Sequence, residues 1–585
     1  MATISPGLRL YKSLAAALRR YLPFGMAGKR DDGAPPKKAK LVGRAFYESI
    51  GSPKYILAPM VDQSEFVSRT FFFSFAIAFL SSMPGVLTEV FWLQAWRMLS
   101  RSYIPPSQKP PLLAYTPMLH ARLFAETEKY RRTNFQATNP ASPTSPDSPF
   151  LDGNPSIDRP LIVQFCANDP NWLLQAARLA APHCDAVDLN LGCPQGIARK
   201  GHYGSFLQED QELIFRLIRT LRDELDVPVT AKIRILETRE ATLAYARNVL
   251  EAGASILTVH GRRREQKGHL TGLADWEVIR FLRENLPPET VLFANGNVLR
   301  HEDLDRCIEA TGADGVMSAE GNLSDPGIFA EPPADGEGGR EYWRGRDGKG
   351  GWRVDGVMRR YLDILHKYVA GVEPPARRPL FVPGDDEGWL VEREENGEED
   401  GPARKKRKKE KKDYVQNGNY SAMQPHMFHL LRHLVTVHTD VRDALARSKK
   451  GDLEAYEQVL LMVERKVALG LLEYEKGKDD GVVNGEGENG EDARSEIDEE
   501  LKAESSEAAI KRCKRPWWIA QPIIRPLPME ALAKGSITLS KKNMAAMGVE
   551  ADAVEKTNGA GDAVAEEKPV ERNQEAPTQK KEVAA

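Results

Sequence analysis

Short runs of β-branched and other apolar residues alternate with longer amphipathic stretches between Lys54 and Ala319. The stretches between the runs, such as "DQELIFRLIRTLRDEL", have the apolar spacing of helices and stop close to Gly or Pro. Strands that alternate with helices predict an α/β fold, and eight strands are the number that closes a (β/α)8 TIM barrel. The eight runs that fit buried strands are "KYILAP", "LLAYTP", "LIVQFC", "AVDLNL", "VPVTAKIRI", "SILTVH", "TVLFANG" and "DGVMSA".

Polar residues at the C-terminal ends of these runs favour the barrel over its alternative, a doubly wound open sheet. Barrel enzymes place their chemistry at that end of the strands, so residues from at least seven strands would meet at one mouth. The residues in question are Pro59 and Met60, Gln164, Asn190 with Cys193, Lys232, His260, Asn295 to Asn297, and Ala319 to Gly321.

The chain outside the barrel changes composition several times. Helical periodicity resumes beyond a Gly-rich connector, is interrupted by a polar insert, and gives way to a tail that is too polar to build a core. We predict a basic leader at 1–46, the barrel domain at 47–335, an all-α helical domain at 336–475 with a charged insert around 384–415, and a mostly disordered tail at 476–585 with an aromatic island at 515–526.

The formal net charge of -3 hides strong local asymmetry. Arg404 to Lys412 reads "RKKRKKEKK", which fits a nuclear localisation signal, a contact to RNA or a solvated linker. The leader contains Arg, Lys and Ser with no acid before Asp31, which fits a mitochondrial presequence or a disordered basic segment. We therefore expect the protein to be located in the cytoplasm, the nucleus or both, with mitochondrial targeting as the alternative.

The five cysteines show no CxxC or Cys/His ligand spacing. A disulfide framework and a structural zinc site both lose support, and we expect reduced intracellular thiols, no metal and no membrane span. The chain also lacks GxGxxG and Walker A motifs, which argues against a Rossmann dinucleotide site and ATP chemistry. We expect a monomer.

Three side chains at the strand ends carry candidate chemistry, and each has an ordinary structural interpretation as well. Lys232 ends an apolar strand, so it needs an anionic partner, either a reduced flavin or a barrel carboxylate. His260 is a ligand or a satisfied core residue. Cys193, in a Gly-Cys-Pro turn, is a proton donor, a nucleophile or plain filler. The small residues after the seventh and eighth strands fit a phosphate site or ordinary turns.

Read together, these residues resemble the tRNA-dihydrouridine synthases, specifically the eukaryotic type that acts on positions 16 and 17 of the tRNA D-loop. The resemblance covers about residues 47–330, with gaps. The matching segments are "APMVDQSE", "YTPMLHARLFAE", "PLIVQFCANDP", "DAVDLNLGCPQGIARKGHYGSFL", "VTAKIRI", "TVHGRRREQKG", "TGLADW", "FANGNV" and "TGADGVMSAEGNL".

The resemblance implies an FMN-dependent barrel that NADPH or NADH reduces and that delivers hydride to C6 of a uracil in tRNA. Cys193 matches the general acid that protonates C5, and Asn190, Arg199, Lys200 and His202 would contact the RNA substrate. The sequence from about 352 to 475, which has helical periodicity, resembles the family's RNA-binding domain. The expected FMN contacts are Pro59, Met60, Val61, Gln164, Lys232, His260, Asn295, Gly296, Asn297, Ala319, Glu320 and Gly321.

Two other functions stay open at this point. One is a flavin barrel dehydrogenase that acts on a free pyrimidine, against which the long helical region and the basic insert argue. The other is a tRNA-binding homologue with impaired catalysis, because an insertion near the first strand would disturb the flavin site. Bound yellow flavin after purification separates these classes.

That insertion is the apolar stretch 67–94, "VSRTFFFSFAIAFLSSMPGVLTEVFWLQ". Its removal would join "VDQSEF" to "AWRMLSRSY" and restore the resemblance, and its ends can be encoded by the letters expected at splice borders. We therefore interpret it as a retained intron. A membrane hairpin or a lineage-specific loop is the alternative, although the central Pro-Gly and the short span argue against a membrane span.

Overall fold

The computed structural model describes residues 40–60, 94–105, 107–108, 110–139, 148–346, 348–391, 417–477, 506–513 and 515–533. From Leu41 onward the described residues form one compact unit. Val61, the cluster from Arg404 to Lys412, residues 67–93 and nearly all of the leader lie outside the described residues, so the predictions made for them stay predictions. The predicted domain boundaries also stay predictions.

The described chain contains eleven strands, most of them short and buried. Nine of them form one sheet and two form a separate hairpin. Their bounds are β1 Tyr55–Leu57, β2 Leu113–Tyr115, β3 Leu119–His120, β4 Leu161–Cys166, β5 Ala186–Leu191, β6 Val229–Arg234, β7 Ile256–His260, β8 Val291–Asn295, β9 Gly315–Ser318, β10 Tyr342–Arg344 and β11 Gly350–Trp352.

The large sheet closes on itself. Its strand order is β2-β1-β9-β8-β7-β6-β5-β4-β3, and an additional pairing joins β2 to β4. All of these pairs are parallel, and the two-residue β3 extends only β4. Eight strands therefore form a closed parallel barrel, which confirms the predicted (β/α)8 fold and excludes the open sheet.

Helices follow the barrel strands, as parallel connections require. Several begin at a polar residue whose side chain accepts a hydrogen bond from the first helical turn, namely Asp169, Asp210, Thr238 and Asp275. The helices up to the last strand of the barrel, with the helix that follows it, are α1 Gly43–Ser49, α2 Gln94–Ser102, α3 Ala121–Glu126, α4 Glu128–Asn134, α5 Pro170–Ala180, α6 Gly196–Gly201, α7 Gln211–Glu224, α8 Arg239–Glu251, α9 Trp276–Asn285, α10 Glu302–Thr311 and α11 Glu320–Ser324, with 3₁₀ turns at Ala181–His183, Gly204–Leu207 and Gly268–Leu270.

Beyond the barrel, the segment interpreted as a Gly-rich connector contains the antiparallel hairpin β10–β11. Glycine is needed there, because a Cβ at Gly350 would lie 2.6 Å from the carbonyl oxygen of Trp343. The later helices are α12 Val354–Ile364, a π-helical continuation at Leu365–Ala370, α13 Gly388–Val391, α14 Gly418–Leu430, α15 Arg432–Val437, α16 Thr439–Arg447, α17 Leu453–Lys476, α18 Ser506–Cys513 and α19 Pro528–Ala533.

Helix α2 connects the barrel to the later helices. Arg97 is buried and forms ion pairs with Asp158 at 2.5 Å and Asp152 at 2.7 Å. Trp96 donates its indole N–H to Asn322 Oδ1 at 2.8 Å, just beyond β9. A buried charge is tolerated only when it is paired in this way, so these ion pairs fix the position of α2 against the barrel.

Among the described residues, no helix combines the length and hydropathy that crossing a bilayer would require.

Candidate active site

The carboxyl ends of the barrel strands bring the predicted polar residues side by side. Strand register pairs Asn190 of β5 with Lys232 of β6, and His260 of β7 with Asn295 of β8. Arg234, two residues after Lys232, pairs with His260. Residues that are distant in sequence are therefore neighbours around one mouth.

A cavity of about 1400 Å³ opens at this mouth. Six of the predicted residues line it: His260, Asn295, Gly296, Asn297, Ala319 and Glu320. Cations outnumber anions in its wall, which favours a negatively charged ligand. The basic residues are Arg234, Arg262, Lys267, Arg300, Arg306 and Arg525, and the acidic ones are Asp275, Glu277, Asp303 and Glu320.

The interior of the barrel below the mouth contains a hydrogen-bonded polar network. Asp188 accepts hydrogen bonds from Gln164 Nε2 at 2.8 Å and from Thr230 Oγ1 at 2.6 Å. Burial raises the pKa of Asp188 to about 6. Asn190 Nδ2 donates to Gln164 Oε1 at 2.7 Å, so the predicted Gln164 links this network to the strand that leads into the cysteine turn.

Lys232 points its ammonium group toward the loop after β8. Its Nζ donates to Asn295 Oδ1 at 3.0 Å, while Asn295 Nδ2 donates to the carbonyl of Met317 at 2.8 Å. Burial, reinforced by the nearby Arg234, lowers the pKa of Lys232 to about 7. An anion bound beside Nζ would raise this pKa again, because an opposite charge favours the protonated amine.

His260 is held as a neutral acceptor. Arg262 Nη1 lies 3.1 Å from His260 Nε2, and arginine can only donate, so this ring nitrogen accepts. Burial lowers the pKa of His260 well below its usual value, and the cations around it, among them Arg234, act in the same direction. Arg262 Nη2 also donates to Asn297 Oδ1 at 2.8 Å, which ties the ends of β7 and β8 together.

The loop after β8 depends on unusual backbone conformations. Gly296 has φ +116° and Asn297 has φ +60°. A Cβ at Gly296 would lie 2.5 Å from the Cβ of Ala274, so only glycine fits. Trp276 Nε1 donates to the Gly296 carbonyl at 3.0 Å, and the Asn297 side chain bonds the backbone of Ala274 in both directions. These contacts fix the conformation of the loop in the structure.

Asn190 organises the start of the cysteine turn. Its Oδ1 accepts hydrogen bonds from the backbone N–H groups of Gly192 at 3.1 Å and Cys193 at 2.9 Å. This turn follows β5 directly and leads into α6. The asparagine predicted to contact substrate thus also holds the backbone that carries the thiol.

The carbonyl groups of the same turn are held from three sides. The carbonyl of residue 192 accepts a hydrogen bond from Arg234 Nε at 2.7 Å. The carbonyl of residue 193 accepts from Ser205 Oγ at 2.9 Å, and that of residue 194 accepts from Lys267 Nζ at 2.7 Å. Two of these donors are cations that also line the cavity. The position of Cys193 is consequently fixed by the same side chains that make the mouth basic.

The thiol of Cys193 is partly buried against Met118, Cys166 and Tyr203. Burial raises its pKa above the usual value, although Arg234 and the two lysines nearby act in the opposite direction. At neutral pH the group therefore stays protonated. This favours the proton-donor interpretation over the nucleophile.

The remaining predicted residues lie around this centre without lining the cavity. Pro59 and Met60 follow β1, and Gly321 packs against the loop after β8, where a Cβ would meet the Val298 carbonyl at 2.5 Å. Arg199 and Lys200 are exposed on α6, and His202 caps that helix in the left-handed conformation with φ 51°.

None of the six basic residues in the cavity wall was predicted, and two of them lie next to predicted residues. Arg234 and Arg262 each stand two residues after a predicted residue, Lys232 and His260. Arg234 lies on the same strand face as Lys232, because side chains alternate along a strand. The alternation of side chains along β6 could therefore have indicated Arg234. Arg262 lies in a loop, whose course only the structure shows.

A closed (β/α)8 barrel with a basic mouth and a thiol beside it defines a class: a barrel enzyme whose strand carboxyl ends form a cavity suited to an anionic ligand. Among the described residues, no group of three or more His, Cys, Asp or Glu side chains is arranged to hold a metal ion.

Comparison with known proteins gives the family. Residues 56–340 match the model of the dihydrouridine synthase (Dus) family. A tRNA-dihydrouridine(16/17) synthase of Schizosaccharomyces pombe is 40% identical over 496 residues, which cover 85% of this chain and 94% of the relative. The enzyme of the same name from Saccharomyces cerevisiae is 44% identical over 430 residues, 73% of this chain and 77% of the relative. The chain belongs to the dihydrouridine synthase family, as its motifs indicated.

Proposed function

We propose that this protein is a tRNA-dihydrouridine synthase that reduces the uracil C5=C6 bond of uridines 16 and 17 in the D-loop. Both fungal relatives carry that activity in their names, together with NAD(P)(+). The observation that carries the proposal is the cysteine turn, whose backbone is held by five side-chain hydrogen bonds beside a cation-lined cavity.

FMN is the cofactor that we propose for the cavity. The loops at 295–297 and 319–321 would hold its phosphate, since the loops after the seventh and eighth strands commonly bind phosphate in such barrels. Lys232 would meet the negative charge near N1 of the reduced ring system. When bound, FMN supplies the hydride for C6 of uracil after its own reduction by NADPH or NADH. The volume and the excess of cations in the wall fit this anionic group.

Cys193 would complete the reduction by transferring its thiol proton to C5. The resulting thiolate would be stabilised by the cations that already act on its pKa, Arg234, Lys267 and Lys232. Solvent would then return the proton. Burial would thus keep the thiol protonated before the transfer, and the cations would stabilise the thiolate after it.

The RNA must approach the exposed side of α6. A uridine in folded tRNA has to leave its stack to reach the thiol, at a cost of a few kcal/mol that contacts to the backbone must offset. Arg199, Lys200 and His202 are exposed close to the cysteine turn and suit phosphate contacts. We propose them, with Asn190, as substrate-binding residues.

A single-turnover experiment tests the proposal. Reduced flavin in the purified protein is mixed with tRNA that lacks dihydrouridine, and reoxidation is followed by absorbance at the flavin band. We expect Cys193→Ala to retain FMN and tRNA binding but to react about 10²–10⁴ times more slowly. Reoxidation at the wild-type rate in that variant would contradict the role of Cys193. Uridine monophosphate in place of tRNA tests the free-pyrimidine alternative.

A further inference from the structure

The segment 515–533 runs from the later helices to the barrel mouth. Its first part is anchored beside the hairpin β10–β11, because Ala520 N–H donates to the Trp352 carbonyl at 2.8 Å and Val354 N–H donates to the Trp518 carbonyl at 3.0 Å. The Trp518 ring packs edge-on against Trp343 with centroids 5.7 Å apart. This segment, which we call the strap, is therefore fixed at one end.

The far end of the strap forms a wall of the cavity. Residues 523–527 line it together with Asn297 and Glu320. Helix α19 then contacts the 3₁₀ turn at Gly268–Leu270, which follows β7. A stretch far from the barrel in sequence thus closes one side of the proposed cofactor site.

Arg525 is the charged side chain that the strap brings to this wall. It forms an ion pair with Glu320, the first residue of α11. Glu320 and Arg525 are both partly buried, with 26% and 30% of their side chains exposed. This pair lies in the loop region where we propose the phosphate of FMN.

Two further guanidinium groups interact electrostatically with the same carboxylate. Burial lowers the pKa of Arg262 to about 10. The Glu320 carboxylate raises this pKa, and the Arg525 guanidinium lowers it further. Burial also lowers the pKa of Arg432, and Arg525 adds to that effect while Glu320 opposes it. Arg262 and Arg525 both line the cavity beside Glu320, so two cations and one carboxylate meet at this wall. This excess of positive charge favours a second anion there.

We propose that Arg525 is a cofactor-binding residue, whose guanidinium neutralises Glu320 and donates hydrogen bonds to the phosphate of FMN. This inference rests on the proposed function. Without Arg525, the Glu320 carboxylate would face the phosphate directly and repel it. With Arg525, the planar group can serve a carboxylate and a phosphate together, since it has five N–H donors.

Paired flavins isolate the phosphate. Apoprotein is titrated with FMN and, separately, with riboflavin, which has the same ring system and no phosphate, and quenching of flavin fluorescence gives each Kd. We expect Arg525→Gln to raise the Kd for FMN at least about tenfold, as the loss of a charge-assisted contact implies, and to change the Kd for riboflavin less than twofold.

Two more variants test the arrangement of charges. Glu320→Gln in the Arg525→Gln background should bind FMN more tightly than Arg525→Gln alone, because the repelling carboxylate is gone. Arg525→Lys should fall between the wild type and Arg525→Gln. Arg178→Gln is the matched control: Arg178 pairs with Glu224 at 2.7 Å on the outer helices of the barrel and should leave both Kd values unchanged.

Three results would overturn the inference. Equal weakening of FMN and riboflavin binding by Arg525→Gln would mean that Arg525 only holds the strap. Unchanged FMN binding with a raised KM for tRNA would make Arg525 an RNA contact. A wild-type chain that bound neither flavin would overturn the proposed function itself, a failure that the wild-type titration alone reveals.

Discussion

Gly204 offers a direct test of the idea that the cysteine turn must be held in place. It follows Tyr203 with φ +65°, in the left-handed region that disfavours residues other than glycine. A Cβ there would lie 2.9 Å from the carbonyl oxygen of Cys193 and 3.0 Å from its Cβ. Gly204→Ala must therefore push the turn and the thiol away by a few tenths of an ångström.

Two effects follow from this geometry. The left-handed conformation costs an alanine about 1–2 kcal/mol, which should lower the free energy of unfolding by about that amount. Displacement of the thiol by a few tenths of an ångström should slow proton transfer about 2- to 10-fold, since misplacement by a full ångström can cost about 10²-fold. FMN binding should not change, because Gly204 does not line the cavity.

The assay is single-turnover reoxidation of the reduced flavin by tRNA, with a thermal melt of each variant. Gly477→Ala is the control: its backbone is helical with φ -61°, and the added Cβ would meet only ordinary contacts at 3.7 Å. We expect Gly477→Ala to react like the wild type. A wild-type rate for Gly204→Ala would refute the argument that the position of the turn limits the reaction.

Three other predictions concern separate parts of the chain. Lys232 has a pKa of about 7 when folded and about 10.4 when unfolded, so the unfolded state binds more protons between those values and the stability of the apoprotein should rise with pH there. When urea unfolding is measured across this pH range, the free energy of unfolding of Lys232→Met should rise less steeply with pH than that of the wild type, by at most about 1.4 kcal/mol per pH unit. Equal dependence on pH in the two proteins would contradict the lowered pKa of Lys232. Deleting Arg404 to Lys412 should preserve flavin chemistry but alter nuclear import or tRNA affinity, and if neither changes, the cluster is a linker. Excising 67–94 should yield an active protein, whereas mature transcripts that uniformly keep these codons, together with active full-length protein, would contradict the intron hypothesis.

The barrel could be predicted because burial leaves a local signature. Strands that are covered on both faces appear as apolar runs, and the helices between them begin at polar caps such as Asp169 and Asp275. The polar residues that interrupt this pattern, Lys232 and Asn190 among them, were identified because a polar side chain at the end of an apolar strand needs a partner. The two-residue β3 and the hairpin β10–β11 were missed, since neither is long enough to show a period.

The rest of the site depends on contacts that no local pattern encodes. Arg525 meets Glu320 only because Trp518 and its neighbours anchor the strap across the molecule. The aromatic island was recognised as unusual, yet its destination could not be read from composition. The described segment also extends beyond the island on both sides, into α18 and α19.

Position-resolved mapping of dihydrouridine in tRNA tests the central claim most directly. Purified protein is incubated with FMN, NADPH and tRNA that lacks dihydrouridine, and each position of the D-loop is then read by mass spectrometry of nuclease fragments, with Cys193→Ala in parallel. The account predicts a mass gain of two hydrogens at uridines 16 and 17 with the wild type, and only a slow gain with the variant. Wild-type protein that carries FMN and oxidises NADPH, yet leaves both uridines unreduced, would contradict it.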